Sequence, residues 1–130
     1  MTITQRDQKH ILVVEDEEKI IRLLTDQLEL AGYHVHVEMK GQAALDYAAE
    51  QPPGLVVLDL RLPDISGYEV CRQLRGMYPS SMVPILIVTA LDQPAAQLQG
   101  YTHGADAYLT KPFELRDLLD TVANLFGHVR

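Results

Sequence analysis

A single cysteine, Cys71, leaves no partner for an internal disulfide. Its helical spacing with Leu74 makes it a small core or surface thiol. No window approaches the roughly 20 apolar residues that a membrane span needs. Residues 1–9 are polar and hold no apolar stretch, so no signal peptide is read there. A cytoplasmic chain with no membrane partner is expected. Basic residues are scarce: 11 Lys and Arg stand against 18 Asp and Glu, a formal charge of −7. That balance lacks the basic footprint of a nucleic-acid surface, so this chain itself is not expected to bind nucleic acid. The five histidines share no ligand spacing, which argues against a zinc centre. Repeats, linkers and low-complexity segments are missing too, and 130 residues make one domain able to bury a core.

What the chain does have is alternation. Apolar runs and amphipathic stretches follow each other five times, with strands expected near 11–15, 34–38, 55–59, 84–88 and 106–109. Helices are expected near 17–31, 42–50, 67–78, 93–103 and 114–126. Five strand–helix units in series point to an α/β fold, a doubly wound parallel sheet in a three-layer sandwich. In the first helix Ile20, Leu24, Leu28 and Ala31 share a face and Gly32 is the stop. Asp92 is the expected cap of the fourth helix, with Pro94 in its first turn and Gly104 at its end. The run His34-Val35-His36-Val37-Glu38 alternates polar and apolar, so it reads as an edge strand with His34 and His36 on a wet face. The runs 11–14, 55–58 and 85–88 are apolar throughout and belong in the middle. This fits the strand order 2-1-3-4-5, with the first and third strands meeting at the switch point where open α/β sheets bind ligands.

Chemistry gathers at the C-terminal ends of these strands. The first run ends in Glu15-Asp16, the third in Asp59, the fourth in Thr89-Ala90, and the fifth leads into Lys111. Taken singly, Asp16 also reads as a helix cap, Thr89 as a turn hydroxyl and Lys111 as a solvated lysine. Asp59 is harder to dismiss, because a carboxylate behind a fully buried strand needs a partner. Two carboxylates about 4 Å apart repel by on the order of 4 kcal/mol at an effective dielectric near 20. Lys111 and a divalent cation can relieve that repulsion, and an all-oxygen site suits Mg²⁺. The set suggests metal-assisted phosphoryl chemistry at Asp59.

The segments Ile11-Leu12-Val13-Val14-Glu15-Asp16-Glu17, Val57-Leu58-Asp59 through Ser66-Gly67, Val88-Thr89-Ala90, Gly104-Ala105-Asp106 and Tyr108-Leu109-Thr110-Lys111-Pro112-Phe113 occur in this order. Together they resemble the receiver domain of two-component response regulators, a flavodoxin-like fold. The resemblance implies a receiver over 10–127, a flexible N-terminal tail at 1–9 and a short tail at 128–130. It implies that Asp59 is the phosphoacceptor, and that Glu15, Asp16, Asp59 and the main-chain carbonyl of Arg61 hold Mg²⁺. Lys111, the Thr89 hydroxyl and the Ala90 amide would bind phosphoryl oxygens, and Thr89 with Tyr108 would form the switch. Pro63 and Gly67 would shape the loop beside Asp59, and Lys111-Pro112 is a plausible cis bond.

The implied function is a phosphorelay switch. It would take a phosphoryl group from a sensor histidine kinase or a histidine phosphotransfer protein, then act on a downstream protein target or an output domain missing from this chain. It would catalyse only its own phosphorylation and dephosphorylation. Two alternatives stand beside it: a phosphorylation-independent interaction module, and the receiver piece of a longer DNA-binding regulator. A hydrolase with an aspartate nucleophile is a third class, but its Asp-x-Asp pattern is broken here by Arg61.

Overall fold

Runs without a polar position become the inside of the sheet. The computed structural model describes residues 9–129. The expected tails at 1–9 and 128–130 therefore fall outside the described residues except for Lys9, His128 and Val129. Strand β1 (His10–Val14) leads to helix α1 (Glu18–Leu30), and β2 (His34–Glu38) leads to α2 (Gly41–Glu50). Then follow β3 (Leu55–Leu58) and α3 (Gly67–Met77), β4 (Ile85–Thr89) and α4 (Pro94–Thr102), and β5 (Ala107–Thr110) and α5 (Leu115–Phe126). All pairings are parallel, in the order β2-β1-β3-β4-β5. Strands β3 and β4 are buried at every position, whereas β2 and β5 are only half-buried, as edge strands should be.

Alternate residues of each strand face opposite layers. Leu12, Val14, Val56, Leu58 and Ile85 pack under α2 and α3, against Ala44, Leu45, Ala48, Val70, Cys71 and Leu74. Ile11, Val13, Leu55, Val57, Leu86 and Val88 pack under α1 and α5, against Leu24, Leu28, Leu118 and Val122. Cys71 is thus a buried core thiol. Helices α1 and α4 both end on a left-handed glycine, Gly32 at φ +101° and Gly104 at φ +113°. In each, two amides turn back onto the last carbonyls of the helix, the arrangement a left-handed residue permits. Among the described residues, no helix is long and apolar enough to cross a membrane.

Three local expectations differ from the structure. Asp92 does not cap α4; Gln93 holds that position, with no side-chain cap bond. The cause is Pro94, which opens the helix and drives the preceding residue into extended backbone (φ −76°, ψ 143°). Ala31 is exposed instead of facing the core, because α1 has already ended at Leu30. On the edge strand, only His34 is fully exposed. His36 stacks on the Tyr47 ring of α2 at 3.8 Å and pairs with Glu38 at 2.7 Å, so α2 leans over part of that face.

At the sheet edge opposite the strand C-termini, Arg75 of α3 donates to the carbonyls of Gly104, Val83 and Tyr78. It also pairs with Asp106 at 2.7 Å, and Asp106 accepts the Ile85 amide as well. This charge-assisted set ties α3 to the entries of β4 and β5.

Candidate functional site

Parallel register sets the carboxylates side by side. Val14 is the partner of Leu58, so the next residues, Glu15 and Asp59, leave the sheet at the same height on neighbouring strands. The Asp59 amide donates to the Val14 carbonyl at 3.0 Å, continuing the ladder one step past both strands. Glu15 and Asp59 are buried, 2% and 6% exposed, while Asp16 lies exposed at the rim. Carboxylate oxygens of Glu15, Asp16 and Asp59 all lie within 4.8 Å of one another.

Lys111 supplies the neutralising charge. Its Nζ donates to Glu15 Oε1 at 2.8 Å and to Asp59 Oδ2 at 3.2 Å, with Glu17 Oε1 at 3.7 Å. The Lys111 amide donates to the Thr89 carbonyl at 2.8 Å, which fixes the base of the side chain on β4. The Lys111-Pro112 bond is cis, as expected. The remaining oxygens take main-chain donors: Glu17 N–H reaches Glu15 Oε2 at 3.1 Å and Arg61 N–H reaches Asp59 Oδ1 at 3.3 Å.

One ammonium does not balance this much negative charge. Burial pushes the Glu15 carboxyl up to about 7; the Lys111 bond opposes the rise and the Asp59 charge adds to it. Burial alone would lower the Lys111 ammonium, but Glu15 and Asp59 more than offset it, and the net shift is upward. A cluster of oxygen donors in which a buried glutamate resists ionisation is a place where a hard divalent cation fits.

The other expected residues sit around this corner. Thr89 is fully buried, its Oγ1 accepting the Leu91 amide at 3.5 Å, and Ala90 is exposed just beyond it. Arg61 is exposed two residues past Asp59. Tyr108 is set behind the loop that follows β4, its hydroxyl donating to the Leu91 carbonyl at 2.6 Å. A Cβ on Gly100 would come within 3.4 Å of the Tyr108 ring, so the ring lies against α4. Burial pushes the Tyr108 hydroxyl up to about 12, with negative neighbours including Asp59 adding to it. Glu15, Asp16, Asp59 and Lys111 are thus brought into one cluster, and Thr89 connects it through Leu91 to Tyr108.

Several contributors were not assigned from the sequence. Glu17 adds a carboxylate near Lys111; its place one turn past the strand was the available signal. Tyr68 of α3 donates to the Ala96 carbonyl of α4 at 3.0 Å, and Asp64 accepts two amides at the start of α2. None of these three bonds has a local sequence signal, because their partners are 28, 23 and 22 residues apart.

Comparison with known proteins agrees with this geometry. The family model of the response regulator receiver domain matches residues 11–123. The chain is 46% identical over 113 residues to the uncharacterized transcriptional regulatory protein YkoG of Bacillus subtilis, covering 87% of this chain and 49% of that protein. It is 46% identical over 110 residues to the alkaline phosphatase synthesis transcriptional regulatory protein PhoP of the same organism, covering 85% and 45%. The chain therefore spans about half the length of these curated relatives. A CheY-like receiver domain protein from Methanospirillum hungatei superposes with a TM-score of 0.86 at 28% identity, covering 92% of this chain and 94% of that one. Fold, acidic corner and matched residues lead to one conclusion: this chain belongs to the response regulator receiver domain family and is a two-component signalling domain.

Proposed function

We propose that Asp59 is the phosphoacceptor of a Mg²⁺-dependent switch, fed by a phosphohistidine on a sensor histidine kinase or a histidine phosphotransfer protein. The observation that carries this reading is the Lys111 ammonium bridging buried Glu15 and Asp59 beside Asp16. An Asp59 carboxylate oxygen attacks phosphorus, the P–N bond to the donor imidazole breaks, and the leaving nitrogen takes a proton. Bound Mg²⁺ supplies charge neutralisation on the phosphoryl oxygens, and Glu15, Asp16, Asp59 and the Arg61 carbonyl are the groups to hold it. Lys111, the Thr89 hydroxyl and the Ala90 amide bind the other oxygens. Positioning and electrostatics suffice for this chemistry, so the domain serves its own phosphorylation and dephosphorylation without a separate base.

Switching follows from the same contacts. A phosphoryl group adds charge and strong acceptors at Asp59. Thr89 moves toward it, and the loop at Leu91 and the Tyr108 hydroxyl bonded to it move with Thr89. The partner surface at α4 and β5 is then altered. A few kcal/mol between two packings is all that such a contact can select.

The test is direct. Incubation with Mg²⁺ and acetyl phosphate is expected to give a single phosphoryl adduct by intact-mass spectrometry, absent in Asp59→Asn. No adduct on the wild type supports the interaction-module reading, and sustained turnover of acetyl phosphate supports a hydrolase.

Mg²⁺ affinity should depend on pH with a definite sign. Glu15 titrates near 7 in the metal-free chain, so below that pH a bound cation must displace its proton. Affinity is expected to be about tenfold weaker at pH 6 than at pH 8 if one proton is displaced. Calorimetric titration checks this; equal affinity at both values would separate Glu15 from the cation site.

A second reading concerns output. The chain covers about half of relatives named as transcriptional regulators. This favours the receiver acting as the input half of a DNA-binding regulator, with the acidic receiver leaving DNA contact to the other half.

A further inference from the structure

We infer that Asp64 is a positioning residue: by fastening the β3–α3 loop to the first turn of α2, it sets the Arg61 carbonyl and the Asp59 side chain, and through them the affinity for a divalent cation. This rests on the reading of the acidic corner given above.

Helix α2 begins without help from its own flank, since Lys40 at the N-cap makes no side-chain cap bond. Its first amides are served from another element. Asp64 Oδ1 accepts the Gly41 amide at 2.8 Å and Oδ2 accepts the Gln42 amide at 2.9 Å. These two bonds hold the Asp64 carboxyl below its ordinary range, as two amide donors to one carboxylate should. The seam is also closely packed. A Cβ on Gly41 would lie 2.6 Å from Ile65 Cγ1 and 2.7 Å from Val70 Cγ2, so the loop and α3 press directly on the α2 backbone.

The other end of the loop is pinned independently. The Gly67 amide donates to the Leu60 carbonyl at 3.0 Å, and a Cβ on Gly67 would lie 2.3 Å from the Asp59 carbonyl oxygen. Residues 61–63 therefore span two anchors, the Asp59–Leu60 backbone and Asp64. Within that span the Arg61 amide donates to Asp59 Oδ1 at 3.3 Å, so the Leu60–Arg61 peptide and the rotamer of Asp59 are coupled, and the Arg61 carbonyl opens the stretch that runs from there to Asp64. Releasing the Asp64 anchor frees one end of the span and lets both drift. An exposed carboxylate with no place in the cation site thus governs it at one remove, as outer-shell partners of metal ligands do.

The experiment compares full-chain wild type, Asp64→Ala and Asp64→Asn. It reads the Mg²⁺ concentration for half-maximal phosphorylation by acetyl phosphate, the rate at saturating Mg²⁺, and the urea midpoint without Mg²⁺. Asp64→Ala is expected to raise the half-saturating Mg²⁺ about tenfold. Its saturated rate should stay within about twofold of wild type, the pattern of lost binding and intact chemistry. Asp64→Asn keeps one acceptor oxygen and should fall between the two. A merely structural cap predicts a lower urea midpoint with unchanged Mg²⁺ half-saturation, and that result overturns the inference. If Asp64→Ala fails to fold, Asp64→Asn carries the comparison. If the wild type takes no phosphoryl group, the reading of Asp59 fails. Calorimetric Mg²⁺ titration of the same proteins then decides on Asp64: unchanged affinity overturns its role, and weakened affinity sustains it.

Discussion

Gly67→Ala should lose roughly 3 kcal/mol of stability or more and most of its phosphorylation at limiting Mg²⁺. The added Cβ would sit 2.3 Å from the Asp59 carbonyl oxygen, 2.5 Å from Leu60 Cα and 3.0 Å from the Asp59 carbonyl carbon. All three are backbone atoms, so no side chain can swing aside. Either α3 backs away, breaking the Gly67–Leu60 bond and the burial of Val70 and Cys71, or the Asp59–Leu60 segment shifts. The second route moves Asp59, the proposed phosphoacceptor, and an ångström of displacement of a reacting group costs orders of magnitude in rate. A loss of 3 kcal/mol in a domain of this size lowers the melting midpoint by roughly 10 °C. Gly76 provides the control on the same helix. Its Cβ meets nothing within 4 Å, so Gly76→Ala is expected to be neutral or to gain up to about 1 kcal/mol. Urea melts of both variants check the pair, and similar behaviour would refute the close-approach account.

Lys111→Met comes next in size, and its effect should depend on pH. The substitution preserves much of the stem's volume but removes the ammonium shared by Glu15 and Asp59. Removing one partner from a buried charge cluster costs on the order of 3 kcal/mol, because the others are left uncompensated. The sign follows from Glu15. Its folded value, about 7, lies above its ordinary 4.5, so its ionisation subtracts stability progressively as pH rises through that interval. Without Lys111 the folded value rises further, so the penalty grows toward pH 8 and shrinks toward pH 5, where Glu15 keeps its proton in the folded form of both proteins. Urea melts at pH 5 and pH 8 measure this, and Mg²⁺ should recover part of the loss at pH 8 by replacing the missing positive charge. A loss of equal size at both values would mean that Lys111 contributes packing and not charge. On the function proposed above, loss of the ammonium should also slow phosphorylation at saturating Mg²⁺, since the phosphoryl oxygen assigned to Lys111 loses its partner.

Much of this molecule is written in local patterns. Uninterrupted apolar runs such as Leu55–Leu58 mark central strands, and the alternation of His34–Glu38 marks an edge. Once five strand–helix units are recognised, right-handed crossovers leave few topologies, and the ends of β1, β3, β4 and β5 must share one edge. Glu15, Asp16, Asp59 and Lys111 were legible for that reason: each lies within two residues of a strand end, and the strand carries it to the corner. The helix stops at Gly32 and Gly104 were legible as well, because a left-handed residue is a property of the single position.

Where one element meets another, the chain order carried no such signal. Which amides Asp64 would accept depended on how the β3–α3 loop crosses the start of α2, not on anything near residue 64. Tyr68 finding Ala96, Tyr47 covering His36, and Arg75 gathering Gly104 and Asp106 are set by interhelical distances and loop paths. Composition and periodicity decide which residues are strand, helix and buried, because those depend on covalent neighbours and on apolar surface leaving water. Tertiary packing alone decides which donor meets which acceptor across a seam, because that depends on ångström-scale approach between segments the chain does not place side by side.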